Sequence, residues 1–363
     1  MKKQHFYLGA LAVGVTLVAA FNAPVGKKVT TAVGVQSISA ITFSPEGTLF
    51  VGDSKTATVF AVPMLKEKKQ NPGKFSIKNI DQKIAGALGT TAANITITDM
   101  AVHPVSKQVY IAVQHSDGTP VLLKLNGDQL VNVPLKDMPA SSVQLNNAPA
   151  PDAKDSRGRS LRISAVSDLG YSNGKLLVSG LSNHEFSSSF KSIPYPFTSK
   201  QDESTLEIYH AAHGRYETTA PIKTFTTATI NNKSYLVASY TCTPLVLFSL
   251  DELKPGAHVK GRTVAEMGSG NTPIDMLTLG EGNNAYLLMA NTKHPVAKVD
   301  YKSIAAFEGT LTEPVKGTAG VNFTATPALN VLQMDKLENN HVVMIQKQTN
   351  GDIDLLTADA TTL

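Results

Sequence analysis

The sequence predicts an all-β fold, a six-bladed β-propeller, from two observations. A unit made of an apolar strand, a polar turn and a denser apolar strand recurs along most of the 363 residues. No stretch after the N-terminal segment shows a sustained helical period of apolar residues, so the repeat is built from strands. The second strands of successive units begin 51 to 67 residues apart, a spacing typical of propeller blades with about four strands each.

The six units share turn residues as well as apolar strands. Steps such as Pro-Glu-Gly, Asn-Gly and Asn-Asn separate the two strands of a unit, as expected for hairpins. Six such blades fill residues 21–363, which we expect to form one domain. The units are ISAITFSPEGTLFVGDS, ITDMAVHPVSKQVYIAVQHS, ISAVSDLGYSNGKLLVSGLSN, IKTFTTATINNKSYLVASYTC, PIDMLTLGEGNNAYLLMANTK and ALNVLQMDKLENNHVVMIQKQ.

The sixth unit is expected to lack an outer strand, because the sequence stops after its third strand. The segment KKVTTAVGV, residues 27–35, is rich in β-branched residues and has no other assignment. We therefore expect a ring closed by this N-terminal strand pairing with the last blade. Closure would remove a sheet edge that otherwise invites aggregation.

Residues 1–20 have the composition of an export signal. A short cationic start, MKKQH, precedes 15 uncharged apolar residues, fewer than the roughly 20 that cross a bilayer. Val18 and Ala20 supply the small residues expected before a cleavage site, and an uncleaved N-terminal anchor is the alternative. We expect a cleaved signal peptide, no lasting transmembrane span, and a periplasmic or secreted protein.

Composition excludes several classes of function. The single Cys excludes an internal disulfide framework and CxxC metal sites. The formal net charge is +4, and it is closer to zero without Lys2 and Lys3, which leaves no electrostatic basis for nucleic-acid binding. The expected partner is therefore a small-molecule ligand or a component of the cell envelope.

One position near the start of each innermost strand is predicted to face the central channel. Carboxylates that meet in a narrow channel disfavour joint ionisation, so protons or a cation must compensate. Hydrogen bonds from backbone N–H groups of the inter-blade loops, or pairing with Arg162 or Lys223, are the structural alternative. Alignment by the second strands places at this position Ala40, Asp99, Asp168, Thr224, Asp275 and Asn330.

The oxygen-bearing residues of this set are candidate metal ligands. Ca²⁺ takes six to eight oxygen ligands from carboxylates, amide oxygens and water. The candidates are Asp99, Asp168, Asp275 and Asn330.

The loops after the second strands are expected to open on the same face as the channel carboxylates. His184 and His115 are the candidate catalytic residues that move a proton, because the pKa of histidine lies near neutrality. An ordinary surface role for His184 and a buried apolar role for Cys242 are the alternatives. Further candidate ligand-binding residues on this face are Asn183, Glu185, Arg215, Glu217, Cys242 and Asn291.

Two other histidines lie in a segment predicted to be the outer strand of blade three. His210 and His213 are three residues apart, and in a strand such residues point to opposite faces. We therefore expect structural roles for both. A different interpretation takes His184, Cys242 and one further histidine as the ligands of a copper oxidoreductase.

The segments AITFSPEGTLFVGDSKTATVFAV and MAVHPVSKQVYIAV resemble repeats of the NHL-type and gluconolactonase–paraoxonase group of six-bladed propellers. The resemblance covers nearly all of residues 21–363 and concerns fold more than function. It implies Ca²⁺ in the channel, and lactonase or esterase activity in some members. Ala40 stands where a Glu ligand is common in the enzymes, a departure that argues against hydrolysis. The counterparts of the group's metal ligands would be Asp99, Asp168, Asp275 and Asn330.

These features predict an exported propeller that binds a divalent cation or a cationic small ligand at the channel mouth. Its enzymatic form would be a metal-dependent hydrolase of a small molecule. The alternatives are a non-catalytic scaffold that binds a protein or polymer of the cell envelope, and the copper oxidoreductase.

Overall fold

The described residues form six blades arranged in a ring, so the prediction of a six-bladed β-propeller is confirmed. The computed structural model describes residues 30–31, 34–64, 67 and 73–363. The predicted signal peptide, residues 1–20, lies outside this range. In the described part of the chain, no helix is both long and apolar enough to span a membrane.

Strands are the main elements, and their bounds are as follows. From the start of the chain they are β1 (Thr30–Thr31), β2 (Ala40–Phe43), β3 (Thr48–Asp53), β4 (Thr58–Pro63), β5 (Ser76–Ile77), β6 (Ile95–Val102), β7 (Val109–His115), β8 (Pro120–Asn126), β9 (Gln129–Asn132), β10 (Pro139–Gln144), β11 (Asp168–Ser172), β12 (Lys175–Leu181), β13 (Ser188–Pro194) and β14 (Asp202–His210). They continue as β15 (Arg215–Glu217), β16 (Thr224–Ile230), β17 (Lys233–Ser239), β18 (Pro244–Ser249), β19 (His258–Lys260), β20 (Arg262–Met267), β21 (Pro273–Leu279), β22 (Tyr286–Asn291), β23 (Ala297–Asp300), β24 (Thr318–Gly320), β25 (Thr324–Ala325), β26 (Val331–Glu338), β27 (His341–Lys347) and β28 (Ile353–Asp359). The helices are α1 (Ile80–Ala87) and α2 (Tyr301–Ala306), and 3₁₀ turns cover Ala92–Asn94, Leu135–Asp137, Arg162–Ser164 and Gly282–Asn284.

Each blade is a sheet whose first strand lines the central channel. We number the blades by the order of these strands in the sequence: β2, β6, β11, β16, β21 and β26. The sheets are antiparallel apart from the parallel pairing of β14 with β19. From the channel outward, blade 1 contains β2, β3, β4, β10 and β1; blade 2, β6 to β9; blade 3, β11 to β15 with β19; blade 4, β16, β17, β18, β20 and β24; blade 5, β21, β22, β23 and β25; blade 6, β26, β27, β28 and β5.

The ring order of the blades differs from their order in the sequence. The innermost strands contact one another in the order β6, β2, β11, β16, β21 and β26, and β26 contacts β6 again. Blade 2 therefore lies between blades 6 and 1. After β4 the chain crosses to the outer edge of blade 6 as β5, runs through α1 into blade 2, and returns to blade 1 as β10, between β4 and β1.

The ring is closed by a strand from the N-terminal part of the chain that pairs with the last blade, as predicted, but the segment differs. Ser76–Ile77 pairs with β28 at the outer edge of blade 6. Thr30–Thr31, from the segment expected there, pairs instead with β10 at the outer edge of blade 1. The closing strand is short and follows the polar linker KEKKQNPGK, so no apolar run marks it in the sequence.

Apolar clusters between neighbouring blades hold the described part of the ring together. The cluster between blades 1 and 2 contains Leu49 and Tyr110, and the cluster between blades 2 and 6 contains Ile111 and Val343, with Ile80 of α1. These side chains are fully or almost fully buried. Burial of one such side chain stabilises the fold by about 1.5–3 kcal/mol. Because the clusters fill the gaps between blades, the channel walls can carry polar groups.

Candidate functional site

The central channel contains a cavity of about 810 Å³ that is lined by the innermost strands of all six blades. Four aspartates line it, one each from blades 2, 3, 5 and 6: Asp99, Asp168, Asp275 and Asp335. The structure thus brings together three of the four candidate metal ligands, and Thr224 of the same predicted set also lines the cavity. A cavity of this volume is large enough for a small organic ligand.

The fourth candidate metal ligand, Asn330, does not line this cavity. It is exposed, precedes β26 and has a left-handed backbone with φ 53°. Asp335, further along β26, lines the cavity instead. The pairing of β26 with β27 shifts register twice, and such irregularities make an alignment counted from the second strand fail. The sequence feature that could have identified Asp335 is its position as the one acidic residue inside the apolar strand VLQMDKL.

Each channel aspartate accepts a hydrogen bond from the backbone of the next blade in the ring. These contacts fasten the innermost strands to one another, which agrees with the structural alternative of backbone N–H donors, although the donors lie in strands rather than loops. The pairs of carboxylate and N–H are Asp99 with Ile41 (2.6 Å), Asp168 with Phe225 (2.8 Å), Asp275 with Met334 (2.6 Å) and Asp335 with Val102 (2.6 Å).

The second oxygen distinguishes Asp275 from the other three. The remaining oxygen of each of the others accepts the N–H of the residue that follows it: Met100, Leu169 or Lys336. In the described part of the chain, Asp275 accepts a hydrogen bond through Oδ2 alone. Its Oδ1 therefore keeps its acceptor capacity for a ligand.

Burial is the main cause of a raised pKa in all four carboxyl groups. It raises the pKa of Asp168 to about 7 and that of Asp335 to about 6. The pKa of Asp99 and that of Asp275 lie well above the ordinary value, because burial is reinforced by repulsion from the other channel carboxylates. The backbone N–H donors act in the opposite direction but do not offset burial. At neutral pH this ring must hold protons or a cation.

Two lysines line the same cavity without neutralising it. The charges of Lys107 and Lys336 lower the pKa of Asp335. Among the described residues, neither ammonium group forms an ion pair with a carboxylate within 4.0 Å. Glu338 also lines the cavity, so acidic groups remain in excess.

The predicted proton-transfer residue His115 does not lie beside the aspartates. The cavity extends from the aspartates toward the hairpin turns, where Lys107 and His341 line it. His115 ends β7 and pairs with Ile95, four residues before Asp99 in β6. At a rise of about 3.3 Å per residue, this separates the two levels by about 13 Å along the strand. His115 therefore does not line the cavity, which extends toward the hairpin turns, whereas the loops after the second strands lie at the opposite face.

The other predicted loop residues are spread over this opposite face. His184 lies 3.7 Å from Glu203 (Nε2 to Oε2), in a separate cavity of about 520 Å³ that Glu185 also lines. Asn183, the residue before His184, is exposed. Asn291 is buried, and its amide donates to the backbone carbonyls of Met289 and Pro295. The arrangement of metal and histidine expected for hydrolysis in the channel is therefore not assembled.

Three of the predicted loop residues do meet, around the two histidines that were expected to be structural. Nδ1 of His210 and Nδ1 of His213 lie 2.9 and 2.8 Å from the two oxygens of Glu217, and Arg215 Nε donates to Glu217 at 3.2 Å. Ligand atoms of His210, His213 and Cys242 all lie within 4.8 Å of one another. His213 lies in the turn after β14, so the expectation of opposite orientations in one strand was wrong.

The backbone places Cys242 at the seam between blades 3 and 4. Cys242 and Thr243 have φ values of 69° and 55°, and two adjacent non-glycine residues in this region indicate a strained turn. His184 lies in the separate cavity of about 520 Å³, which Cys242 does not line, so the copper site expected from His184 and Cys242 is not formed.

Comparisons with known proteins do not assign the chain to a family. No protein-family model matches the chain, and no curated protein matches it. Among solved structures, PorZ, a surface component of the type-IX secretion system of Porphyromonas gingivalis, is 11% identical, with a TM-score of 0.38 over 91% of this chain and 38% of that chain. This chain therefore spans well under half the length of PorZ.

Other matching structures have different functions. Drosophila Plexin A in complex with Semaphorin 1b is 10% identical, with a TM-score of 0.39 over 90% of this chain and 86% of that chain. The PQQ-bound aldose sugar dehydrogenase of Streptomyces coelicolor is 13% identical, with a TM-score of 0.36 over 92% and 99%. At this level the likenesses carry no argument about function. Fold and site together define a six-bladed β-propeller with an acidic central channel.

Proposed function

We propose that the protein binds a small organic cation in its central channel. The observation that carries this proposal is the convergence of Asp99, Asp168, Asp275 and Asp335 on one cavity, with the pKa of each raised. A cation that enters the cavity replaces protons that the ring otherwise holds. An ammonium or guanidinium group also donates charge-assisted hydrogen bonds to carboxylate oxygens, and Oδ1 of Asp275 is the acceptor best placed to receive one.

An organic cation suits this donor set better than Ca²⁺. The four carboxylates already accept seven backbone N–H groups, and Ca²⁺ requires six to eight oxygens. Asn330 lies outside the ring, and Ala40 offers no side-chain oxygen. The volume of about 810 Å³ matches small-molecule sites rather than a bare ion. Ca²⁺, the cofactor expected from the resemblance, is the inorganic competitor in the test below.

We propose a binding role rather than a hydrolytic one, and a location in the periplasm or outside the cell. The separation of His115 and His184 from the aspartates supports the first part. The signal-like composition of residues 1–20 supports the second. The intact mass of the protein purified from its native cells tests export, because cleavage after Ala20 removes a defined segment.

Thermal unfolding with a panel of cations tests the channel proposal. The panel contains putrescine, arginine and glucosamine, with Ca²⁺ and Mg²⁺ as separate arms, at pH 8. At least one amine is expected to raise the melting temperature of the wild-type protein. The Asp275→Asn variant should lose that shift, because it removes a charge while its amide oxygen can still accept the N–H of Met334. Asp128→Asn, on an exposed turn, is the matched control and should keep the shift.

The outcomes separate the proposals for this site. A shift with Ca²⁺ alone would replace the organic cation by a metal. No shift with any cation, or an equal shift in Asp275→Asn, would contradict ligand binding by the aspartates and would favour the scaffold alternative.

A further inference from the structure

We propose a second site, separate from the channel, in which His210, His213 and Cys242 bind a zinc-class transition-metal ion at the seam between blades 3 and 4. One ligand atom from each of the three lies within 4.8 Å of the others. Two imidazole nitrogens and a thiolate form a borderline-soft donor set that suits Zn²⁺ and its neighbours in the first transition row.

Two buried atoms without partners point to an ion at this place. His210 is 1% exposed and Glu266 is 0% exposed. Nε2 of His210 and Oε1 of Glu266 have no hydrogen-bond partner among the described residues. They lie 3.9 Å apart, too far for a hydrogen bond to each other. Buried polar atoms in native proteins are almost always paired, and a cation between these two would satisfy both.

Glu217 fixes the orientation of both imidazole rings. Its two oxygens take Nδ1 of His210 and Nδ1 of His213, which leaves Nε2 of each ring for a metal. Histidines that bind metals commonly present the other ring nitrogen to a carboxylate in this way, and the carboxylate fixes the tautomer. The ring centroids of the two histidines are 3.9 Å apart, so both rings are close enough to contact one bound ion.

Glu266 lies beside His210 on the buried side of the cluster, with its Oε1 3.9 Å from Nε2 of His210. Its Oε2 accepts the backbone N–H of Ala212 at 2.7 Å, which holds the carboxylate beside His210. The two imidazole nitrogens and the thiolate supply three protein ligands, and a tetrahedral ion has a fourth position for the Glu266 carboxylate or for water. The side chain of His213 is 38% exposed, so an ion can enter from solvent.

Titration of the metal-free, full-length protein with Co²⁺ tests this site. Co²⁺ replaces Zn²⁺ in tetrahedral sites and shows a thiolate-to-metal charge-transfer band. We expect one equivalent of Co²⁺ with this band, displaced by one equivalent of Zn²⁺. Cys242→Ser should abolish the band, and His213→Ala should weaken binding at least 10-fold. Glu217→Gln should weaken binding about 10- to 100-fold through the orientation of the rings.

Two controls make the result specific. His184→Ala removes a histidine from the same face and should leave Co²⁺ binding unchanged. Asp275→Asn should also leave it unchanged, so that failure of the channel proposal and failure of this one are distinguishable. Melting curves of the metal-free variants establish folding, and His213 lies on an exposed turn where substitution spares the core.

The assignment is overturned if the folded wild-type protein shows no charge-transfer band, or if the band persists in Cys242→Ser. Binding of copper without binding of Co²⁺ or Zn²⁺ would also overturn the assignment to a zinc-class ion.

Discussion

Oδ2 of Asp335 accepts a hydrogen bond from the backbone N–H of Val102 at 2.6 Å, across 233 residues of sequence. The contact joins the innermost strand of blade 6 to that of blade 2, where the ring closes. It lies at the channel, whereas β5 closes the same blade at its outer edge. The channel aspartates therefore fasten the blades together as well as supplying the charge of the proposed binding site.

The first prediction concerns this fastening role. Asp335→Ala leaves the N–H groups of Val102 and Lys336 without their acceptor. A buried group without its partner costs about 1–3 kcal/mol, so the free energy of unfolding should fall by about 2 kcal/mol. Asp335→Asn keeps one acceptor oxygen, so its free energy of unfolding should fall by less. Urea unfolding measures both, with Asp128→Ala on an exposed turn as the control expected to stay within about 0.5 kcal/mol. Equal stability of Asp335→Ala and wild type would exclude a fastening role.

The second prediction concerns pH. A carboxyl whose pKa is higher in the folded than in the unfolded state binds its proton more tightly when folded. Asp335 and Asp168 have folded pKa values of about 6 and about 7, against an ordinary value of 3.8. Their contribution to stability is therefore present below about pH 4 and is lost as the pH rises through 6 to 7.

Unfolding by urea in the absence of added cations measures this dependence. The free energy of unfolding should fall by about 4 kcal/mol between pH 5 and pH 8, because the folded pKa values of Asp335 and Asp168 lie about one and about two units above pH 5 and one unit corresponds to about 1.4 kcal/mol. Asp275→Asn removes one repelling charge and should reduce the slope. A free energy that rises steadily over this interval in the wild type would contradict the raised pKa values.

The third prediction concerns the ring order. Ser76 and Leu356 are partners across β5 and β28, and partner Cα atoms in antiparallel strands lie within disulfide range. In a Cys242→Ser background, Ser76→Cys with Leu356→Cys should form a disulfide under mild oxidation. Thr30→Cys with Leu356→Cys represents the closure expected from the sequence and should not. Mass spectrometry after digestion distinguishes them, and the reverse pattern would show that the first blades follow sequence order.

Local pattern was enough to predict the blades, but not how they are connected. Dense apolar runs and hairpin turns mark strands such as Thr48–Asp53 and Val109–His115, because these second strands of their blades are buried on both faces. Blades 1 and 2 are reversed in the ring relative to the sequence, and this order depends on β5 and β10, which lie in the segments between the repeated units. Pairing of Ser76–Ile77 with β28 is a long-range contact, and a two-residue strand has no periodicity of its own.

The candidate sites show the same division between local and distant information. Asp99, Asp168 and Asp275 were predicted to line the channel from an alignment by the second strands, which holds although β6 and β21 each shift register once. Asp335 was missed because bulges in β26 shift the count. The cluster around Glu217 was missed because a turn, rather than a strand, carries His213. Glu266 lies in β20 of blade 4, more than 50 residues after His210 in the sequence. No local spacing indicates that the two side chains are neighbours.

Proton release on ligand binding tests the central claim, that the channel carboxylates hold protons which a cation displaces. The measurement is calorimetric titration of the tightest-binding amine of the panel at pH 7, in two buffers with different heats of ionisation. The raised pKa values predict release of about one proton per amine bound by the wild-type protein, and less by Asp275→Asn. Binding heats that are equal in the two buffers, and therefore no proton release, would contradict the account.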